Sequence, residues 1–434
     1  MSITRSMPVR ALVFVTAACL IGGAMLAAAE AQPPAKWVGS WASSQQIPEP
    51  RNALDPNDLR DATLRQIVHL TIGGKELRVR LSNAFGTEPL HITSAHIARP
   101  LSPSTGSVDV STDKALTFSG SPDVTIPAGA EYISDPVAFP AAAVSNLAIS
   151  LYIETPPVQQ TSHPGSRQTS FLVHGNQVSA VDLLNAKPVD HWYQISGVDV
   201  AASPQAASVV VMGDSITDGR GSTTNGNDRW PDNLARRLQA SPATRTIGVL
   251  NVGTGGNRLL QDGLGPSALA RFDRDVLARA GVRSLIVFEG INDLGTLTAD
   301  HEVSAEEHQS LVRRVIGAYE QLVTRAHAHG IRVMGATITP DMDNATYHPT
   351  PVNEADRQAV NAWIRTPGHF DAAVDFDKIV GDPARPDHLL PAYDSGDHLH
   401  SSPAGYRAMA DAILLSFFSH APNTAPKARR SKAR

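Results

Sequence analysis

Cysteine is almost missing from this chain of 434 residues, since Cys19 is its single instance. Removal of the targeting segment predicted for residues 1–31 leaves a mature chain with none. Disulfide bonds, a thiolate nucleophile and cysteine-ligated zinc are then excluded, so stability must come from packing. An excess of one charge is missing too, because 37 Lys and Arg face 42 Asp and Glu, for a formal net charge of -5. Without a cationic surplus, nucleic acid is not expected as a general partner.

The amino terminus also lacks an apolar run of membrane-spanning length. The run over residues 11–26 is shorter than the roughly 20 residues that a spanning helix needs, and no stop-transfer charges follow it. Arg5 and Arg10 precede the run and Ala29-Glu30-Ala31 follows it, which is the order of a secretory signal. We predict a signal peptide over residues 1–31, a secreted or periplasmic protein, and no stable membrane insertion. Lipid attachment at Cys19 is the weaker alternative, because the apolar run continues beyond it.

Residues 37–202 show short strands separated by turn residues, and no long helical periodicity. The runs 64–72 and 76–81 flank Gly73-Gly74 and predict a β-hairpin. Further strands are predicted for 90–98, 124–126, 147–153 and 192–200. This spacing is typical of a β-sandwich, so we predict a separate all-β domain. The length and composition of the chain fit two domains.

Two pairs of residues in this region have more than one interpretation. Arg78 and Arg80 share one face of a strand and could bind a carboxylate or a carbohydrate, but the solvent-facing side of a strand is ordinarily charged. Trp37 and Trp41 could stack on a sugar, although core packing is the commoner role of such aromatics.

After a small-residue linker at 202–206 the pattern changes to alternating strands and helices over residues 208–419. Strands are predicted at 209–212, 247–252, 284–288 and 331–338, and helices at 230–240, 268–279, 311–329 and 354–364. Repeated strand–helix units imply a parallel sheet covered on both faces. We therefore predict a three-layer α/β domain.

The stretch Val209 to Gly219 stands at the start of this domain. Its β-branched run predicts a buried strand, and Gly213, Asp214 and Ser215 turn the chain at the strand's carboxyl end. Open α/β sheets bind their ligands at this edge. Ser215 is therefore a candidate nucleophile, and a helix cap is its plainer alternative.

Other strand ends of the same sheet carry polar residues that can converge with Ser215. These lie in the segments 251–257, 288–293 and 397–400. Acyl transfer needs a nucleophile, a base, a group that orients the base, and donors for the oxyanion. A histidine with an aspartate three residues earlier, a glycine N–H and the Asn292 amide complete that set.

The α/β region contains four short blocks: Gly213-Asp214-Ser215, the glycines after Asn251, Asn292-Asp293, and Asp397-x-x-His400. Together they resemble the four blocks of the SGNH or GDSL hydrolase superfamily. The resemblance covers about half of the chain. It implies a flavodoxin-like α/β/α fold and ester hydrolysis without cofactor or metal. It also implies Ser215 as nucleophile, His400 as base, Asp397 as its orienting group, and an oxyanion hole of Ser215, Gly256 and Asn292.

Several assignments in these blocks keep alternatives. Gly253 or Gly255 could replace Gly256 as donor, and a metal site at Asp394, His398 and His400 is conceivable. Asp214, Asp218 and Asp293 are expected to fix turns and caps, not to carry out catalysis.

The resemblance extends to secreted bacterial esterases related to xylan acetylesterases. It favours a carbohydrate acetylesterase, acting on a small-molecule or polysaccharide ester. A lipase, lysophospholipase or arylesterase for longer acyl chains is the alternative, and a polysaccharide-binding protein with an inactive hydrolase domain is a third. The basic tail at 420–434 is predicted to be disordered.

Overall fold

The β-rich part of the molecule begins at residue 36. The structure, a computed structural model, describes Ser2 and residues 36–299 and 303–419. Apart from Ser2, the predicted signal peptide and basic tail lie outside the described residues. The β-rich part consists of β1 (Lys36–Ala42), α1 (Pro56–Leu59), β2 (Ala62–Leu70), β3 (Gly74–Ser82), β4 (Leu90–Ile92), β5 (Ser94–Pro100), β6 (Val108–Ala115), β7 (Val124–Ile126), β8 (Glu131–Ile133), β9 (Val137–Ala141), β10 (Ser145–Ile153), β11 (Ser162–His163), β12 (Ser170–His174), β13 (Lys187–Val189), β14 (Trp192–Tyr193) and β15 (Ile195–Ala202).

Two antiparallel sheets build most of this part. One has the order β1-β15-β3-β8, with β9 also paired to β3, and the other has the order β13-β12-β2-β10-β5-β6. Apolar side chains of both sheets, such as Leu77 and Val198 from the first and Leu64 and Ile149 from the second, share one core. The expected antiparallel β-rich region before the α/β domain is therefore confirmed.

The predicted hairpin at 64–81 is wrong. Strands β2 and β3 follow each other in the chain but belong to different sheets. At the corner, a Cβ on Gly73 would lie 2.5 Å from the Ala141 carbonyl oxygen, and a Cβ on Gly74 would lie 2.8 Å from that of Ala201. The two glycines therefore allow close backbone approach where the chain crosses between the sheets, and they do not form a two-residue hairpin turn.

The interpretation of Arg78 and Arg80 as solvent-facing charges is also wrong. Both donate to Asp199 Oδ2, at 3.1 Å for Arg78 Nε and 2.9 Å for Arg80 Nη2. Arg80 and Asp199 are buried, and Arg279 of the α/β part lies beside this face, where it donates to the Ser196 carbonyl at 3.1 Å. Of the two tryptophans of β1, Trp41 packs in the core as expected, buried and 4.9 Å from Trp192 in an edge-to-face contact. Trp37 is half-buried instead, and the Arg78 guanidinium lies 4.4 Å from the centre of its ring.

The α/β part follows at residue 207. Its elements are β16 (Ala207–Gly213), α2 (Ser215–Asp218), α3 (Trp230–Ala240), β17 (Ile247–Asn251), α4 (Ala268–Phe272), a π-helical turn (Asp273–Leu277), β18 (Val282–Phe288), α5 (Ile291–Thr298), α6 (Ala305–Ala328), β19 (Arg332–Ala336), α7 (Pro351–Arg365), β20 (Ala372–Val374), α8 (Phe376–Val380), β21 (Gly381–Asp382), β22 (Arg385–Leu389), α9 (Pro403–Ala412) and a 3₁₀ turn (Leu415–Phe417).

A parallel five-stranded sheet of order β17-β16-β18-β19-β20 forms the centre of this part. Strand β16 is buried along its whole length, as expected for a strand covered on both faces. Helix α3 packs on α9, and α6 packs on α4, α5 and α7. The order is that of flavodoxin-like folds, so the predicted three-layer α/β fold class is confirmed.

Helix α6 shows how the sequence sets its own boundaries. Ser304 and Glu307 form a capping box, so the helix begins at Ala305, before the predicted Leu311. Gly330 follows its end with a φ of +69°, a left-handed conformation that glycine adopts easily.

The β-rich part covers the edge of the parallel sheet. The hydroxyl of Thr71 accepts from Val249 N–H at 2.9 Å, and its one proton lies between the carbonyl oxygens of Ser40 at 2.6 Å and Val249 at 3.0 Å. Gly39 and Gly248 make the approach possible, since a Cβ on Gly248 would lie 2.5 Å from the Gly39 oxygen. The Val249 backbone groups at the edge of β17 thereby have partners in the β-rich part, and from residue 36 onward the described chain forms one compact unit.

Candidate active site

Ser215 lies directly beyond the carboxyl end of β16, at the start of α2. The turn is tight, because a Cβ on Gly213 would lie 2.1 Å from Thr217 Oγ1. Asp214 caps α2 by accepting from the Ile216 N–H at 2.9 Å. The capping role that Ser215 could have had is thus filled by its neighbour, which leaves the Ser215 hydroxyl available.

The Ser215 hydroxyl belongs to a chain of hydrogen bonds with His400 and Asp397. Ser215 Oγ lies 2.8 Å from His400 Nε2, and His400 Nδ1 lies 2.7 Å from Asp397 Oδ2. A carboxylate only accepts, so Nδ1 carries the proton and Nε2 accepts from the hydroxyl. This is the arrangement that a serine nucleophile and its general base require.

The loop before α9 holds Asp397 in place. Its Oδ1 accepts from the backbone N–H groups of His400 at 2.9 Å and Leu399 at 3.1 Å. Burial acts to raise the pKa of Asp397, but the hydrogen bonds from His400 and Leu399 outweigh it and hold that pKa well below its usual value. The carboxylate therefore stays ionised beside the imidazole.

The surroundings of His400 favour the neutral form of its imidazole. Burial lowers the pKa of His400, and Arg220 and Arg167 lower it further, while Asp397 partly compensates. His400 is therefore neutral at pH 7 and able to accept a proton.

The three predicted oxyanion donors lie around one cleft, which opens beside Ser215. Ser215, Gly256 and Asn292 all line it, and the N–H groups of Ser215 and Gly256 meet no acceptor among the described residues. Gly256 has a φ of +64°, which favours glycine.

The Asn292 amide is fixed by two hydrogen bonds. Its Nδ2 donates to the Asn257 carbonyl at 2.8 Å, and its Oδ1 accepts from the Tyr347 hydroxyl at 2.5 Å. These contacts set which end of the amide is the donor, and one Nδ2 hydrogen is left for a ligand. Sequence reasoning gave Tyr347 no such role, because it lies on a loop with no motif around it.

The structure distinguishes the two alternative glycine donors, Gly253 and Gly255. The Gly253 N–H donates to Asn251 Oδ1 at 2.9 Å, so it is already engaged. Gly255 lines the cleft together with Gly256.

The suggested metal ligands do not converge. His398 Nδ1 pairs with Asp394 Oδ2 at 2.7 Å and its side chain is 55% exposed, whereas both ring nitrogens of His400 are bound to Asp397 and Ser215. Within residues 36–299 and 303–419 no group of three or more His, Cys, Asp or Glu side chains is arranged to hold a metal ion.

Three carboxyl groups near Ser215 have structural contacts. Asp218 Oδ1 lies 2.9 Å from His163 Nε2 of the β-rich part, and Asp293 accepts from the N–H groups of Leu259 and Leu260 at 2.8 and 3.1 Å. Burial raises the pKa of Asp214 to about 7 and that of Asp293 to about 6.

The cleft at Ser215 has a volume of about 390 Å³, and both parts of the chain form its walls. The α/β part supplies Ser215, Asp218, Arg220, Gly255, Gly256, Leu264, Asn292, Thr346, Tyr347, Leu399 and His400. The β-rich part supplies Gln46, Glu49, Arg51, Asn52, Pro164, Gly165, Arg167 and His191. None of the cleft residues of the β-rich part was predicted, because they lie in loops without a recognisable motif. Among the described residues no helix is sufficiently long and apolar to cross a membrane.

The fold and site together define the α/β part as a hydrolase domain with a serine at the carboxyl edge of its parallel sheet. Residues 211–408 match the model of the GDSL-like Lipase/Acylhydrolase family. No curated protein matches the chain.

Solved structures with similar folds include an acetyl xylan esterase from Geobacillus stearothermophilus, at 21% identity and a TM-score of 0.35, covering 50% of this chain and 99% of that one. A GDSL-like lipase from Bacteroides thetaiotaomicron has 20% identity and a TM-score of 0.34, with coverage of 48% and 85%.

Proposed function

We propose that the protein is a serine esterase that hydrolyses short-chain carboxylic esters, above all acetyl esters of carbohydrate. The observation that carries this proposal is the continuous chain of hydrogen bonds from Ser215 through His400 to Asp397, open to a cleft with unengaged N–H groups. Export after cleavage behind Ala31 is part of the proposal and rests on the sequence pattern alone.

The mechanism follows from these atoms. His400 Nε2 takes the Ser215 proton while Oγ attacks the ester carbonyl carbon, and Asp397 stabilises the resulting imidazolium. The N–H groups of Ser215 and Gly256 and the Asn292 amide face the developing oxyanion. His400 then protonates the leaving alcohol, and water repeats the sequence on the acyl-enzyme.

The lining of the cleft favours a polar substrate. Among the described residues around it, Pro164, Leu264 and Leu399 have wholly aliphatic side chains, and most of the others are polar or charged. Leu264 lies against Gly256, with its Cδ1 3.4 Å from the site of a Cβ there. An acetyl methyl could contact Leu264, but a long acyl chain would meet charged side chains, which are costly to desolvate.

The test compares p-nitrophenyl acetate, p-nitrophenyl octanoate and acetylated xylan as substrates of the mature chain. We expect hydrolysis of the acetyl esters, and a loss of about 10⁶-fold in kcat in Ser215→Ala. Ser416→Ala, which changes an exposed serine, serves as the matched control.

Three other results would change the proposal. A preference for octanoate would replace the acetylesterase with a lipase that uses the same residues. Hydrolysis that survives in Ser215→Ala would refute the mechanism. No hydrolysis of any ester by the folded protein would favour a polysaccharide-binding role.

A further inference from the structure

Arg167 brings a cation from the β-rich part to the nucleophile. It lies in the loop between β11 and β12 and lines the same cleft as Ser215 and His400. Its guanidinium is close enough to His400 to act on it electrostatically. A charge so near the reacting atoms affects which substrates can bind.

The backbone at Arg167 is held in an unusual conformation. Its φ is +50°, the left-handed region that a residue with a Cβ seldom adopts. Asn225 of the α/β part clamps the loop, because its N–H donates to the Arg167 carbonyl at 2.9 Å and its Oδ1 accepts from Thr169 N–H at 2.8 Å. Such strain persists where the surroundings enforce it, and it clusters at functional sites.

The side chain of Arg167 has no ion-pair partner among the described residues. Its Nε is buried and has no hydrogen-bond partner, and no side-chain ion pair involves Arg167 in the part of the chain that the structure describes. The other cations of the cleft have acidic neighbours, with Arg51 3.9 Å from Glu49 and Arg220 3.8 Å from Asp397. The buried Nε is out of reach of a substrate, but Arg167 is half-buried and lines the cleft, and among the described residues its Nη groups have no hydrogen-bond or ion-pair partner, so they are available to an acceptor that arrives with the substrate.

We propose that Arg167 binds a carboxylate carried by the ester substrate, so that the enzyme prefers esters of acidic molecules, such as acetylated sugars with a uronate group. The inference rests on the proposed esterase function of the same site. A guanidinium binds the two oxygens of a carboxylate through two parallel N–H donors. A neutral hydroxyl group of a sugar does not present two such acceptors.

The test uses matched substrates that differ in one charge. The anion is on the alcohol side in 3-acetoxybenzoate, compared with 3-acetoxybenzamide, and on the acyl side in monomethyl adipate, compared with methyl adipamate. The ratio of kcat/KM for the anionic and the neutral ester is measured in the wild-type chain and in Arg167→Gln. Arg51→Gln removes the same charge from the exposed rim of the cleft. It shows how much of the effect comes from a loss of positive potential in the cleft and how much from direct contact between Arg167 and the substrate.

We expect the wild-type chain to favour the anionic ester of at least one pair, and Arg167→Gln to reduce that ratio by about 10-fold or more. Arg51→Gln should change it less than about 3-fold, because an exposed charge is screened. The pair that responds identifies the side of the ester that carries the carboxylate. In a second measurement, which needs no variant, 3-hydroxybenzoate should inhibit the wild-type chain more strongly than 3-hydroxybenzamide does.

The inference is overturned if the wild-type chain shows no anionic preference in either pair and 3-hydroxybenzoate inhibits no better than its amide. Equal changes in the Arg167→Gln and Arg51→Gln ratios would overturn it as well. If neither the neutral nor the anionic esters are hydrolysed with dependence on Ser215, the esterase function itself fails, which is a different outcome.

Discussion

The two walls of the cleft hold their polar side chains in different ways. On the α/β wall each member of the Ser215–His400–Asp397 chain is engaged with the next at 2.7–2.8 Å. On the β-rich wall Arg167 has a strained backbone and a buried Nε without a partner. The hydroxyl, imidazole and carboxylate side chains of the first wall are bonded to one another, whereas the guanidinium on the second has no ion-pair partner in the part of the chain that the structure describes. Chemistry and selectivity are therefore assigned to different parts of the chain.

The largest further effect that we expect belongs to the α/β wall. Asn292→Ala removes an oxyanion donor and should lower kcat by about 100- to 1000-fold with little change in KM, because the interaction strengthens in the transition state. Steady-state kinetics on p-nitrophenyl acetate measures the effect.

The control for this variant is Asn353→Ala, which removes another buried amide that donates to Thr298 Oγ1 at 2.9 Å, away from the cleft. It should alter stability and leave kcat near its wild-type value. Equal losses of kcat in both variants would mean that the Asn292 effect is structural.

The contact between the walls should matter for stability. His163 of β11 is buried, with Nδ1 2.8 Å from the Ser44 carbonyl and Nε2 2.9 Å from Asp218 Oδ1. His163→Ala leaves Asp218 buried without this partner, and it should lower the free energy of unfolding by about 3 kcal/mol. Chemical denaturation provides the measurement.

An exposed histidine–aspartate pair supplies the comparison. His91 lies 3.1 Å from Asp123 at the surface, and His91→Ala should cost less than about 1 kcal/mol. If the two variants are equally stable, the His163–Asp218 contact does not join the walls energetically.

The contrast between the walls also explains what the sequence could predict. The strands and helices of the α/β part follow from local apolar periodicity, and Ser215, Gly256 and Asn292 line one cleft because they follow parallel strands that end at one edge. His400 reaches the same cleft, and Asp397 lies behind it, from the loop before α9, which does not follow a strand of the parallel sheet. In the β-rich part pairing is non-local, so two strands adjacent in the chain, β2 and β3, entered different sheets. The expectation for Arg80 is wrong because its partners are non-local: it pairs with Asp199, and it shares Glu131 with Arg279, which lies about 200 positions away. No local pattern distinguishes Arg167 or Tyr347 from other loop residues.

The pH dependence of kcat/KM reports on both walls of the cleft. His400 must be neutral to accept the Ser215 proton, so kcat/KM should fall as the pH drops through the pKa of His400, by about tenfold per pH unit below it. Burial, with Arg220 and Arg167, places that pKa below the usual value of 6.5. The acid limb should therefore have its midpoint below pH 6.5.

Arg167→Gln removes a positive charge that disfavours the imidazolium, so it should raise the pKa of His400 and move the acid limb to higher pH. Arg51→Gln should leave the midpoint in place, since Arg51 is exposed and pairs with Glu49. The profile is measured with a neutral ester, so that ionisation of the substrate does not contribute. A midpoint unchanged by Arg167→Gln would mean that the β-rich wall does not act on the base, and its role would then be limited to contact with the substrate.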